Sequence, residues 1–331
     1  MEKNIYPLTR RRLRTDTHMR ELTASVKLSH KNFIQPLFVE EGLRTPRTVQ
    51  GLGTVQVDTA ETVLQTIGYH LQSGISKFLL FPVPAEKREK DFDFGFATQL
   101  VKKIRSAFGD DLWLSADLCL CSYTTHGHCG LLNQDHSALL NSPTADLLSR
   151  YAAQLASAGA DCIAPSDMTD GRVGAIRLSL DALGFESVSI MSYAAKFSSQ
   201  FYGPFRDACQ SAPNTTGLRN RKSYQLSPFN PADAMATALR DEQEGADILM
   251  VKPAALYTDI IARLKQSTLK PVAAYHVSGE YASIEALAEK GLVNREAAHV
   301  EVWTALSRAG ADIIISYASG QAKEWIERIE Y

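Results

Sequence analysis

The chain has 331 residues and is 45% hydrophobic, enough to bury a large core as one barrel-sized domain or two smaller ones. Its 35 Lys and Arg nearly cancel 37 Asp and Glu, so no global field points to a nucleic-acid or membrane partner. Residues 1–25 are basic and polar with no apolar centre, and no apolar run approaches the ~20 residues that cross a bilayer; the expectation is a cytoplasmic protein with neither signal peptide nor membrane span.

The chain opens on a predicted N-terminal arm, residues 1–30, with a dense basic run at Arg10, Arg11, Arg12 and Arg14, then Asp16 and Arg20. The run reads as a patch for an anionic ligand or as an arm lying on a neighbouring subunit. The second reading is preferred, because the run is too short and isolated to be a nucleic-acid footprint.

Residues 31–331 read as one catalytic domain. Short apolar or β-branched runs at 33–39, 77–83, 112–118, 161–165, 187–193, 247–251, 271–277 and 312–317 predict strands. Amphipathic stretches at 59–71, 95–108, 144–158, 175–183, 231–244, 257–267, 283–290 and 295–308 predict helices. Eight strands and eight helices in this length favour an α/β fold of the closed (β/α)8 TIM-barrel type over an open sheet. Gly-Ala-Asp recurs before three of the strands, at Gly159, Gly245 and Gly310. Each glycine suits a helix C-terminus turning into the next strand.

In such a barrel, polar residues that end strands line the active face. Here they are Asp117, Cys119, Cys121, Ser166, Asp167, Tyr193, Lys196, Lys252, Tyr275, Ser278 and Tyr317. Cys119 and Cys121 lie two apart, and Cys129 returns after His126, Gly127 and His128. Three thiols at this density, in a chain with an odd total of five, fit a metal better than disulfides. Three ligands leave a fourth position open, as in catalytic zinc sites; the alternative is a structural site completed by His126 or His128. Of the other two cysteines, Cys162 reads as core, and Cys209, in a polar segment, as a free thiol.

Lys252 closes an apolar strand, and Lys196 ends the neighbouring one. Desolvation and mutual repulsion would lower at least one of their pKa values, and a neutral lysine attacks carbonyls to give Schiff bases. The long segment 197–227 after Lys196 reads as a lid. Its Arg206, Arg219 and Arg221 offer forks for a carboxylate or phosphate, and Ser278 and Tyr317 offer hydroxyls for a second carboxylate. An aldolase-like lyase with one working lysine and a structural zinc is the runner-up reading.

Six motifs together resemble the porphobilinogen synthase (5-aminolevulinate dehydratase) family, and the likeness spans nearly the whole chain. They are Asp117-Leu-Cys-Leu-Cys121 with His126-Gly-His-Cys-Gly130, Ala164-Pro-Ser-Asp-Met168, Met191-Ser-Tyr-Ala-Ala-Lys-Phe197, Phe201-Tyr-Gly-Pro-Phe-Arg206, Met250-Val-Lys-Pro253 and Val277-Ser-Gly-Glu-Tyr281. The resemblance implies condensation of two 5-aminolevulinate molecules to porphobilinogen in haem and other tetrapyrrole synthesis. It implies Schiff bases on Lys252 and Lys196, for the propionate-side and acetate-side substrates. It further implies a catalytic zinc on Cys119, Cys121 and Cys129, and an acetate-side carboxylate on Arg206, Arg221 and Gln225. Ser278 and Tyr317 would hold the propionate-side carboxylate, with Asp117 relaying protons or orienting a lysine; the strand-end Tyr193 and Tyr275 are also expected to bind substrate. The family's usual assembly is a homo-octamer. Two departures stand out. Thr237 occupies the position where many bacterial members carry a glutamate for allosteric magnesium, so no magnesium site is expected there. The lid segment Gly217 to Gln225 is also longer than the family's usual one.

Overall fold

A computed structural model describes residues 10–215 and 217–328. The first nine residues of the predicted arm, Thr216 in the lid and the last three residues of the predicted barrel segment lie outside the described residues. The strands are β1 (Phe33–Glu40), β2 (Arg47–Thr48), β3 (Gln56–Asp58), β4 (Lys77–Val83), β5 (Trp113–Leu118), β6 (Cys162–Pro165), β7 (Ser189–Lys196), β8 (Ile248–Lys252), β9 (Val272–His276) and β10 (Ile313–Ser316). Eight of them pair in parallel in the order β1-β4-β5-β6-β7-β8-β9-β10, and β10 pairs back with β1, closing an α/β barrel. Burial is nearly continuous along them, as in β4 and β7, because the interior covers one face and helices cover the other.

The helices are α1 (Thr17–Thr23), α2 (Thr62–Gln72), α3 (Gly95–Phe108), α4 (Asn141–Ser157), α5 (Arg172–Ala182), α6 (Gly203–Ala208), α7 (Pro231–Gln243), α8 (Thr258–Ser267), α9 (Ser278–Glu289), α10 (Arg295–Ala309) and α11 (Ala322–Arg328). The unit after β10 is completed by the short α11, which the sequence pattern did not show, while α9 and α10 both fall between β9 and β10. A second unforeseen feature is the β2–β3 pair. β3 pairs in parallel with Phe38 and Val39, beyond the two residues of β1 that pair with β10, and forms a lip at the C-terminal mouth.

The three Gly-Ala-Asp repeats do one structural job. Gly159, Gly245 and Gly310 take φ of +104°, +104° and +116°, the left-handed region that glycine tolerates without a Cβ penalty. The aspartate of each then accepts the amide of a residue at or near the start of the neighbouring strand. Asp161 takes Leu114 N at 2.7 Å, Asp247 takes Ile190 N at 2.8 Å and Asp312 takes Val272 N at 2.8 Å.

Two boundaries differ from expectation where it matters. β7 runs through Lys196 and carries a one-residue bulge between Ser192 and Ala195, where Tyr193 and Ala194 oppose Met250 alone on β8. Ser278 does not end β9 but begins α9, since Val277 leaves the strand and Ser278 takes the first helical position.

Candidate active site

Cys119 and Cys121 lie just past β5 in a turn, where Cys121 N–H points at Cys119 Sγ at 3.5 Å, so the turn and not strand alternation brings them together. Cys129 joins them. All three sulfurs lie within 4.8 Å of one another, and all three residues are buried. This is the one His, Cys, Asp or Glu grouping among the described residues placed to hold an ion. Three soft thiols at that separation fit zinc. Within the cluster Cys129 loses its proton most readily, because Cys119 and Cys121 hydrogen-bond to its sulfur.

His128 is committed elsewhere. Its Nδ1 lies 3.0 Å from Tyr224 Oη and its Nε2 lies 2.7 Å from Leu218 O, both in the lid. His126 Nδ1 accepts the His128 amide. His128 thus ties the lid down and has no ring nitrogen left for a metal. Gly127 permits the contact: with φ of +71°, a Cβ there would stand 2.3 Å from Ala212 O.

Lys196 and Lys252 are register partners on β7 and β8. Both are buried, at 5% and 2% exposure. Tyr193 stands between them, its ring centroid 5.4 Å from Lys196 Nζ and 4.9 Å from Lys252 Nζ. Tyr275 at 4.0 Å, Phe205 at 4.4 Å and Tyr202 at 5.7 Å complete an aromatic enclosure around Lys252. Burial, then repulsion from Lys196, lowers the Lys252 pKa to about 7. Lys196 Nζ donates to Ser166 O. Burial raises the Asp117 carboxyl to about 6 against the pull of both lysines, and its Oδ1 makes no hydrogen bond within the protein.

The lid places its arginines unequally. Arg221 is buried beside the thiols and donates to Gly127 O at 2.9 Å and Ser211 O at 2.5 Å, while Arg219 is exposed. Arg206 is half-buried, and its pKa falls through burial and the nearby Arg221 charge. Arg206 Nε, Arg221 Nε and Gln225 Nε2 are buried without protein partners, so the donors of this subsite remain available to an anion. On the other side Tyr275 Oη and Tyr317 Oη lie 3.2 Å apart. Ser278 Oγ accepts the Phe205 amide at 3.1 Å.

Some residues read from the sequence sit outside this group. Asp167 turns away to Arg172, 3.5 Å distant, which also pairs with Asp241 at 3.0 Å in a fully buried network behind the barrel. Cys209 is a free thiol, as the sequence suggested, but it is buried, and burial raises its pKa well above the usual value. Thr237 lies half-buried on α7. Sequence reasoning missed Tyr202 and Phe205, although both lie in the motif from Phe201 to Arg206.

Residues 8–325 match the family described as delta-aminolevulinic acid dehydratase. A delta-aminolevulinic acid dehydratase of Bacillus subtilis is 40% identical over 320 residues, covering 96% of this chain and 97% of that protein. That of Mycobacterium tuberculosis is 38% identical, covering 98% and 100%. The crystal structure of the Toxoplasma gondii ME49 enzyme, called delta-aminolevulinic acid dehydratase (porphobilinogen synthase) and solved with its reaction product porphobilinogen, superposes with a TM-score of 0.90. It is 36% identical and covers 97% of this chain and 92% of its own.

Proposed function

We propose, from the premise that this chain belongs to the delta-aminolevulinic acid dehydratase family and is an enzyme of that kind, that it condenses two 5-aminolevulinate molecules to porphobilinogen and two waters using both buried lysines. The observation that carries this reading is the register pairing of Lys196 and Lys252 inside one aromatic enclosure, with the Lys252 pKa lowered to about 7. Near neutral pH a substantial fraction of Lys252 has a free electron pair. It attacks the keto carbon of one substrate, a C–N bond forms, and the keto oxygen leaves as water, giving a Schiff base. Lys196 holds the second substrate in the same way, so the carbons to be joined are gathered at one barrel mouth.

Arg206, Arg221 and Gln225 fit the carboxylate of the acetate-side substrate, because their buried donors converge without protein acceptors. Ser278 and Tyr317, with Tyr275, fit the propionate-side carboxylate. Asp117, with its carboxyl raised to about 6, can take up and return protons between the lysines. Cys119, Cys121 and Cys129 would hold zinc, which when bound supplies Lewis acidity to the acetate-side carbonyl or its derived hydroxyl. Thr237, with a neutral hydroxyl, offers poor ligation to a hard cation, so no magnesium response is expected through it.

The arm bears on assembly. The short turn at Arg10–Arg14 and helix α1 bury no residue against their own barrel, which supports an arm seated on a second copy and a homo-oligomer, an octamer by family likeness. Among the described residues no helix is long and apolar enough to cross a membrane.

The test is borohydride reduction during turnover. Substrate mass should appear on the peptide containing Lys252, and the reaction should yield a pyrrole that colours with Ehrlich reagent. Label on Lys196 alone, or on neither lysine, overturns the assignment.

A further inference from the structure

Three consecutive residues at the start of α9 each hold a different part of the site. Ser278 Oγ lies 3.1 Å from Phe205 N and 3.3 Å from Phe201 O, at the base of the lid. At Gly279 a Cβ would stand 2.7 Å from the Phe201 backbone, so only glycine allows the lid base to come so near. Glu280, 4% exposed, reaches toward the lysine strand. Its Oε1 accepts Ala255 N at 2.9 Å, in the turn just after Lys252 and Pro253, and its Oε2 accepts Val277 N at 2.9 Å.

That choice of residue is informative. A buried carboxylate is costly unless its oxygens are satisfied. Burial raises this one to about 7, against the pull of the amides of Val277, Ala255, Leu256 and Ala254. If only packing were at stake, an apolar side chain would fill the space more cheaply. Two backbone N–H groups from separate segments require two acceptors and no donor, which among uncharged or basic side chains none supplies in this form. Tyr202 Oη, 3.0 Å from Lys252 O and 2.8 Å from Phe197 O, holds the same lysine from the lid side.

We propose that Glu280 is a positioning residue for the reaction: by joining the turn after Lys252 to the first turn of α9, it fixes the Lys252 amine relative to the Ser278 carboxylate subsite. The proposal rests on Lys252 as the Schiff-base lysine and Ser278 as a carboxylate holder. Both Glu280 oxygens are taken by backbone amides, so its effect passes through the backbone.

The experiment compares full-length wild type, Glu280→Gln and Ala255→Pro. Glutamine keeps the shape but turns an amide donor toward one of the two N–H groups. Proline removes the opposite donor at the second position of the turn closed by Tyr257 N and Ala254 O at 3.1 Å, a position that suits its fixed φ. For each folded protein, kcat, KM, melting temperature and the rate of borohydride-trapped adduct at Lys252 are measured. Both variants should trap about tenfold to a hundredfold more slowly and lose a similar factor in kcat/KM. Wild-type trapping rates with only a lowered melting temperature would reduce Glu280 to a structural clamp and overturn the proposal. Should Glu280→Gln fail to fold, Ala255→Pro decides alone. Absence of the adduct from Lys252 in the wild type overturns the lysine assignment itself, and the positioning role with it.

Discussion

The two ends of the barrel are built on opposite rules. At the end where the strands begin, Asp161, Asp247 and Asp312 repeat one motif, and each finds its backbone donor; Asp161 and Asp312 also pair with Arg105 and Lys265. At the end where the strands finish, no motif repeats. There Asp117 Oδ1, Tyr193 Oη, Arg206 Nε, Arg221 Nε and Gln225 Nε2 are buried without protein partners. Native proteins seldom leave buried polar groups unpaired. A cluster of them at one end, beside two buried lysines, fits a site in which a ligand would supply the missing partners. One end stabilises the barrel and the other spends stability on function.

Substitutions at each end should therefore separate rate from stability. The largest effect should follow loss of the thiol site. Chelation, or Cys121→Ala, should cut turnover by about 10²-fold or more, since Lewis-acid stabilisation is worth several kcal/mol. The melting temperature should move little; global unfolding on chelation would mean that the metal belongs to the structural side of the comparison. Next, Arg221→Ala should raise KM about tenfold to a hundredfold, the value of a hydrogen bond to a charged group. Arg219→Ala, at an exposed lid position, should leave KM within about twofold. Equal effects of the two would show that exposure does not separate them.

A tenfold effect per pH unit is expected from Lys252. Its folded pKa is depressed to about 7, so below that value most of it is the ammonium ion, which has no electron pair to donate. The rate of adduct formation at Lys252 should rise with pH up to about 7 and flatten above it. A profile still rising steeply towards pH 10 would return Lys252 to the ordinary lysine range. The smallest change in rate belongs to the other end of the barrel. Asp247→Ala strands the Ile190 amide and should cost about 1–3 kcal/mol in denaturant unfolding, with turnover per folded molecule unaltered.

Much of the barrel was legible because parallel strands covered on both faces must be apolar along their length, and runs such as 77–83 are. The two lysines were legible for the same reason, as charges that end such runs. The carboxylate subsites were less so. Arg219 and Arg221 differ only in how a loop folds back on Gly127 and Ser211, a long-range contact that carries no local pattern. Ser278 was assigned to the wrong element because one extended residue, Val277, separates β9 from α9. The aromatic walls from Tyr202 and Phe205 reach Lys252 only through the lid, and no periodicity marks them. Asp167 looked like its neighbours at the mouth, yet its partner is Arg172, five residues on and behind the sheet.

The bulge in β7 has a consequence for what the barrel tolerates over evolutionary time. Tyr193 and Lys196 are three positions apart, an odd step that in a regular strand would send them to opposite faces. The extra residue between Ser192 and Ala195 resets that parity, so the tyrosine and both lysines share one interior. Deleting Ala194 would remove the bulge and leave Tyr193 and Lys196 two positions apart, an even step that keeps them on one face. Straightening the strand with Ala194 retained, by contrast, would restore the odd step, turn Lys196 out among the helices and leave a one-amine barrel. The strand thus tolerates a step of three with the bulge or of two without it, and a change that flattens the bulge alone is a functional mutation although it alters no reactive group.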